Sequence, residues 1–428
     1  MSDVERQIRT QDRQIFLELV KLAEHNVRFQ QNVNHSARWR NVLYPLEQEA
    51  GYACFLGFSV TDISQRSRGL NNPGVISLTT TKRALSSVAV GGLLGGASSV
   101  IELACNGVEA ARANRKGFSV GESVSFVQST VKQVDDMLAR RHALMEEGEF
   151  TGTRRELLEL KEQLLEYERD RLVFEFKRWS AHSRGYFWYR NAFYVINATV
   201  NLARFSAAPL AFKSFTQPRC TGAIGPVLIS AACLAALGPI ASSTVGNCVQ
   251  HYQKRFLSRK LPISPFLSDE EAKQKFERLA QLLGSSETKS RNVQLASELL
   301  RLREEKIGLD TLILHEDKKI ERLRRVAGQQ AITAPLVSSM GATSATLSTI
   351  GYYGYRQQPI ISNRLGFASD ATVLPAEMIA LIATPAAAIR AFIYERNLKR
   401  KGEHPDQLLS NRLRDLQALD KMVTDAWK

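Results

Sequence analysis

The spacing of hydrophobic positions changes along this chain in one way, three times over. In charged stretches, apolar residues recur at steps of three, four or seven: Val127, Val131, Val134, Leu138 and Met145; Leu157, Leu160, Leu164 and Tyr167; and Leu299, Leu302, Leu309, Ile313, Ile320 and Leu323. That period belongs to amphipathic helices that pack against partner helices. Between the charged stretches the polar positions vanish, and residues 220–250 and 331–355 contain no Asp, Glu, Lys, Arg or His. Each copy reads as a charged helix entering an apolar stretch, a short basic loop, a second apolar stretch, a basic cluster and a returning charged helix. The pattern predicts an all-α fold of three tandem long αα-hairpins, 1–147, 148–285 and 286–428. Together they would form one elongated six-helix bundle with an apolar tip and a charged, coiled-coil-like stalk.

Punctuation supports the same division. Gly148 and Gly152 followed by Thr153 and Glu156 predict a turn and a capping box, and 284–290 is the equivalent turn one repeat later. Ser2 with Glu5 and Ser268 with Glu271 have the same cap spacing. Loops at 65–74, 214–221 and 356–369 are the expected hairpin tips. Gly117 and Gly121, Pro262 and Pro265, and Gly402 and Pro405 should each break a descending helix into two rods, whereas the ascending limbs read as continuous.

A helix needs about 20 mainly apolar residues to cross about 30 Å of hydrocarbon. Residues 220–250 and 331–355 meet that length, and 84–101 lies near its lower limit; 50–60, 192–212 and 371–389 are weaker. Gly91, Gly92, Gly95 and Gly96 give two overlapping GxxxG spacings, and Ala380, Thr384 and Ala388 repeat at four. Small residues at that step let membrane helices approach closely. A tight core in a soluble bundle would use small residues in the same way.

Overall composition hides this segregation: charged residues make up 23% and mean hydropathy is -0.20. The net charge of +14 admits nucleic acid, anionic lipid or an acidic protein face as partner. Its placement favours lipid headgroups over nucleic acid, because the basic residues gather where apolar helices end: Arg112, Arg115 and Lys116; Lys254, Arg255, Arg259 and Lys260; Arg396, Lys399, Arg400 and Lys401. Basic residues are more numerous beside the charged arms than at the tips, which predicts cytoplasmic arms by the positive-inside rule. Five cysteines without a CxxC pair predict small buried thiols in a reducing compartment.

Three ionisable residues fall inside the apolar stretches: Glu102, Arg204 and Glu377. Such residues face a partner or a wet cavity, or snorkel to the interface. They could line a solute path, or Arg204 and Glu377 could form a structural pair. Phosphate-loop, dinucleotide, zinc-protease and nucleophile-elbow motifs are missing, and no cofactor or metal is expected. Three hairpins, six apolar helices and a high pI resemble the mitochondrial carriers, but Ala50 stands where the base of the carrier motif beginning at Pro45-Leu46-Glu47 should be. No carrier residue is assigned. The leading expectation is a non-enzymatic, multi-pass membrane protein that scaffolds, shapes membrane or recruits partners through its stalk. The alternatives are a transporter or channel, and a soluble helical protein that inserts its tips on a trigger.

Overall fold

The computed structural model describes residues 3–33, 40–217, 220–263, 269–284, 335–402 and 404–425, which are almost entirely helical and contain no strand. In chain order the helices are α1 (Asp3–Val33), α2 (Arg40–Arg68), α3 (Leu78–Arg115), α4 (Val120–Glu147), α5 (Thr153–Ser214), α6 (Thr221–Lys260), α7 (Asp269–Gly284), α8 (335–354), α9 (Pro359–Arg400) and α10 (Pro405–Asp425). The Leu299–Leu323 stripe and the caps at Ser2 and Ser268 lie outside the described residues.

The expected knee after each basic cluster takes a definite form in the first copy. Gly117 adopts φ 79°, a conformation that a Cβ disfavours, and Ser119 then caps α4. Its Oγ accepts the Glu122 N–H at 3.2 Å and donates to the Glu122 carboxylate at 2.6 Å. Gly402, φ 71°, separates α9 from α10 in the same way.

Three local expectations are corrected. Thr153 is not a cap but the first helical residue; Gly152 caps α5 at φ 58° without a side-chain bond. The third tip is shorter than 356–369, because Pro359 occupies the first turn of α9, where its missing N–H costs nothing. The cysteines are not fully buried: Cys54, Cys105 and Cys220 are half-buried and Cys233 and Cys248 exposed.

The chain separates into two regions by side-chain chemistry. One hydrophobic core joins α1, α4, the first part of α5, the end of α6, α7 and α10, with Phe16, Leu19, Val127, Leu164, Phe176, Leu279 and Leu416 all buried. These are the charged helices, so their apolar stripes meet each other and most of their charges face water, while Asp12, Arg141, Lys161, Glu168 and Arg171 are buried among them. The other region comprises α2, α3, the second part of α5, α6, α8 and α9. At 62 residues, α5 is roughly 93 Å long at 1.5 Å per residue and belongs to both.

In the apolar region the helix contacts close a circuit. The pairs α2 with α3, α3 with α5, α5 with α6, and α9 with α2 lie side by side. Helix α8 completes it, packing on α6, where a Cβ at Gly225 would fall on the Thr349 hydroxyl, and on α9, where Ser344 and Ser348 each meet Ser369 at 2.8 Å. Small residues set the spacing: Gly91 abuts the Gly51 backbone of α2, Gly92 and Gly95 abut Phe205 and Asn201 of α5, Gly96 meets Leu202, and Gly185 faces Gly246.

Candidate functional site in the apolar region

Helix α2 presents one face that is polar toward both ends and is interrupted by Gly51 and Phe55 in the middle. Arg40, Tyr44, Gln48, Gly51, Phe55, Ser59, Asp62 and Arg66 follow one another at steps of four or three, the spacing of a single helix stripe. From Arg40 to Arg66 the stripe runs roughly 39 Å at 1.5 Å per residue. That is more than the hydrocarbon thickness of a bilayer.

At the start of the stripe, Arg40 is 2% exposed and organises a compact network. Its Nη2 donates to Glu102 Oε2 at 2.6 Å and to Asn106 Oδ1 at 2.7 Å, and its Nη1 lies 2.7 Å from Glu109 Oε1. Arg190 of α5 approaches Glu102 at 3.5 Å, and Asn106 donates to Asn191 at 2.7 Å. Two arginines thus face two glutamates, each carboxylate beside a guanidinium. Farther along, Asn197 donates to the Tyr44 hydroxyl at 2.8 Å, and Gln48 donates to Gly95 O at 3.0 Å and Ser98 Oγ at 2.7 Å. Polar groups buried in an apolar setting need such partners.

The far end of the stripe is different. Arg66 Nε donates to Asp62 Oδ2 at 2.7 Å, and the same nitrogen lies 3.0 Å from Asp370 Oδ2 of α9. Asp62 and Asp370 are 3% and 8% exposed. Two carboxylates thus crowd one nitrogen whose N–H is given to Asp62, and Asp370 Oδ2 receives no hydrogen bond. Asn363, also on α9, ties the chain end of α2 by donating to Gly69 O at 2.8 Å.

The three residues singled out in the sequence are not brought to one place. Glu102 belongs to the Arg40 network, and Arg204 sits 14 residues beyond Arg190 on α5, roughly 21 Å along the helix. Arg204 and Glu377 do not form an ion pair. Helix α2 intervenes: Arg204 stacks on the Phe55 ring at 5.2 Å, while Glu377 lies beside Ser59, with Arg204 within electrostatic reach. Sequence reasoning missed Arg40, Asp62, Arg66 and Asp370, although the three-and-four spacing along α2 was available to find them.

The basic clusters lie at three helix ends: Arg112, Arg115 and Lys116 close α3; Lys254, Arg255, Arg259 and Lys260 close α6; Arg396, Lys399, Arg400 and Lys401 close α9. They complement the helix dipoles there, and all but the half-buried Lys399 are exposed. Among the described residues no group of three or more His, Cys, Asp or Glu is placed to hold a metal. Neither a family model nor a curated protein nor a solved structure matches this chain.

Three helical stretches are long and apolar enough to cross a membrane: within Leu78–Glu147, Gly222–Lys260 and Pro359–Ile382. The last overlaps 371–389, expected to be weak; 331–355 was expected to be strong, and its first four residues lie outside the described ones. The small polar residues of α8, such as Ser338, Ser339, Thr343 and Ser344, lower its hydropathy.

Proposed function

We propose that this chain is an integral membrane protein that acts as a scaffold or recruiter of partners rather than as a catalyst. The observation that supports the reading best is where large apolar side chains meet solvent. Leu93, Val100, Ile101, Leu237, Ile240, Ile382 and Phe392 are among many exposed in the apolar region, whereas the helices of the charged region expose Phe126, Phe174 and Met422, with Tyr252 and Phe256 at the end of α6, among the described residues. An apolar surface of that extent suits hydrocarbon and is avoided by soluble monomers. On this reading three hairpins, divided near residues 147 and 285, place six helices in the bilayer. The charged helices then form a cytoplasmic stalk for protein partners or self-association.

The basic helix ends lie at headgroup depth in this arrangement, where each Lys or Arg adds about 1 kcal/mol of attraction to anionic lipid. The deciding experiment is alkaline carbonate extraction of membranes containing the full chain. Retention in the pellet is expected, and release into the supernatant overturns the membrane reading. Replacing Arg259, Lys260, Arg400 and Lys401 with Gln should weaken retention on anionic vesicles and leave neutral vesicles unaffected; equal retention on both removes the lipid role.

A second reading, a path for an ion or small solute, is favoured by the polar face of α2 and by the unequal charges where it meets α9. Flux through reconstituted vesicles tests it, and a scaffold predicts none.

A further inference from the structure

The seam between α2 and α9 contains three carboxyls and two guanidiniums. Asp62 on α2 and Asp370 and Glu377 on α9 supply the acids; Arg66 on α2 and Arg204 on α5 supply the bases. Arg364, the other nearby cation of α9, is turned to Asn71 at the surface, at 2.9 Å. The polar groups contributed from α8, Ser344 and Ser348, carry no charge and are bonded to Ser369. With every acid ionised the seam would hold one uncompensated negative charge in a low-dielectric setting, which is costly.

The geometry identifies which acid is in excess. The single Arg66 Nε–H points at Asp62 Oδ2, and Arg204 is the cation within reach of Glu377. Asp370 Oδ2, only 3.0 Å from that nitrogen, has no hydrogen directed to it. Three further buried polar atoms at the seam also lack a hydrogen-bond partner: Ser59 Oγ, Asn363 Oδ1 and Glu377 Oε2. Among the described residues Glu377 has no second carboxylate crowding the same guanidinium nitrogen, whereas Asp370 shares the Arg66 Nε with Asp62.

We infer that the α2–α9 seam binds one exchangeable proton, carried by Asp370 in a dyad with Asp62. A proton taken from the aqueous phase adds to Asp370 Oδ2, converts a carboxylate to a carboxylic acid, and brings the seam from a charge of minus one to zero. The neutral acid also supplies the donor that this crowded site lacks, directed at the neighbouring Asp62 carboxylate. The substrate of the site is thus the proton itself, and the second reading above acquires a chemical identity. The inference rests on α2 and α9 lying in the bilayer, which carbonate extraction tests separately.

The test uses the purified full chain in lipid nanodiscs. Difference infrared spectroscopy at neutral pH should show the carbonyl stretch of a protonated carboxyl, lost in Asp370→Asn. That isosteric variant should keep its neutral-pH stability and lose the destabilisation that the wild type undergoes as alkali removes the proton. Asp62→Asn should also lose the band, because Asp370 then ionises against Arg66; it serves should Asp370→Asn fail to fold. A band that disappears in Glu377→Gln but survives in both aspartate variants overturns the assignment to the dyad. Absence of any band overturns proton binding. Stability that depends on sodium or potassium, compared with choline at equal ionic strength, overturns it in favour of a bound metal cation.

Discussion

Removing Asp12 should destabilise the charged region more than any other single carboxylate change there. Arg141 of α4 is 0% exposed and joins three helices: its Nε donates to Asp12 Oδ1 of α1 at 2.5 Å, its Nη1 to Glu162 Oε2 of α5 at 2.6 Å, and its Nη2 to Leu158 O at 2.9 Å. Lys161, 4% exposed, lies in the same site. Burial pushes its amino group below the ordinary lysine range, Asp12 opposes that, and Arg141 and Arg9 add to it. Asp12→Leu therefore removes the nearest carboxylate from buried Lys161 and leaves buried Arg141 with Glu162 as its remaining carboxylate. Breaking a buried pair from one side costs about 3–5 kcal/mol, whereas Asp12→Asn, which keeps a hydrogen-bond acceptor, should cost about 1.5–3 kcal/mol.

Two further measurements separate charge from packing. In Asp12→Leu/Arg141→Met both partners go, so at least half of the single-variant loss should return. A lowered lysine pKa in the folded state means that the unfolded chain binds more protons between that pKa and 10.5, so this group's contribution to stability rises with pH across that window. Asp12→Leu lowers the folded pKa further and should recover stability as alkali neutralises Lys161. The assay is reversible urea unfolding of the full chain in detergent, followed by far-UV circular dichroism. A loss below about 1 kcal/mol for Asp12→Leu, or a double variant as unstable as the two singles added together, refutes the reasoning.

Other expectations follow from local geometry. His25 stacks on Phe126 at 4.2 Å, and burial first, then Arg28, pushes its imidazole down to about 4. Its stabilising contribution is present above pH 6.5 and lost as pH falls toward 4; the loss should be roughly 1–3 kcal/mol, allowing for partial solvent access, and His25→Phe should flatten that part of the unfolding-versus-pH curve. A Cβ at Gly92 would fall on the Phe205 backbone of α5, whereas one at Gly107 would meet nothing. Gly92→Leu should cost about 1–3 kcal/mol or more and Gly107→Ala should gain up to about 1 kcal/mol, both read by thermal unfolding. Glu102→Leu leaves Arg40 and Arg190 facing one remaining glutamate and should cost about 3–5 kcal/mol; a wild-type melting temperature for this variant refutes the network's structural role.

The helices themselves were legible because hydrophobic period and turn chemistry act locally. The heptad stripe through Val127, Val134 and Leu138 became core, and Gly117 with Ser119 ended one rod and began the next. The partners of buried charges were not legible, since they depend on which helices become neighbours. Glu102 found Arg40, 62 residues away, and Asp370 found Arg66 across most of the chain. Counting charges inside apolar windows also drew attention away from α2. Its polar residues made the window look too short to span, although their three-and-four spacing places them on one face, leaving Val60 and Leu46 exposed elsewhere.

The two ends of that face differ in a way that separates structure from function. At the Arg40 end, Arg40 and Arg190 balance Glu102 and Glu109, and Glu102 lies against both guanidiniums. A neutral, closed network holds α2, α3 and α5 together and has little to exchange with its surroundings. At the Arg66 end three acids face two bases, and the carboxylate oxygens Asp370 Oδ2 and Glu377 Oε2 have no donor; the excess negative charge is one that packing alone would not preserve and that a single proton removes. Neutralising the excess acid with an isostere should therefore be tolerated at Asp370, while the same chemical change at Glu102 should not, because there it removes a charge that is already matched. Equal sensitivity of Glu102→Gln and Asp370→Asn in neutral-pH unfolding would mean that both ends are structural braces, and the distinction drawn from their charge balance would fail.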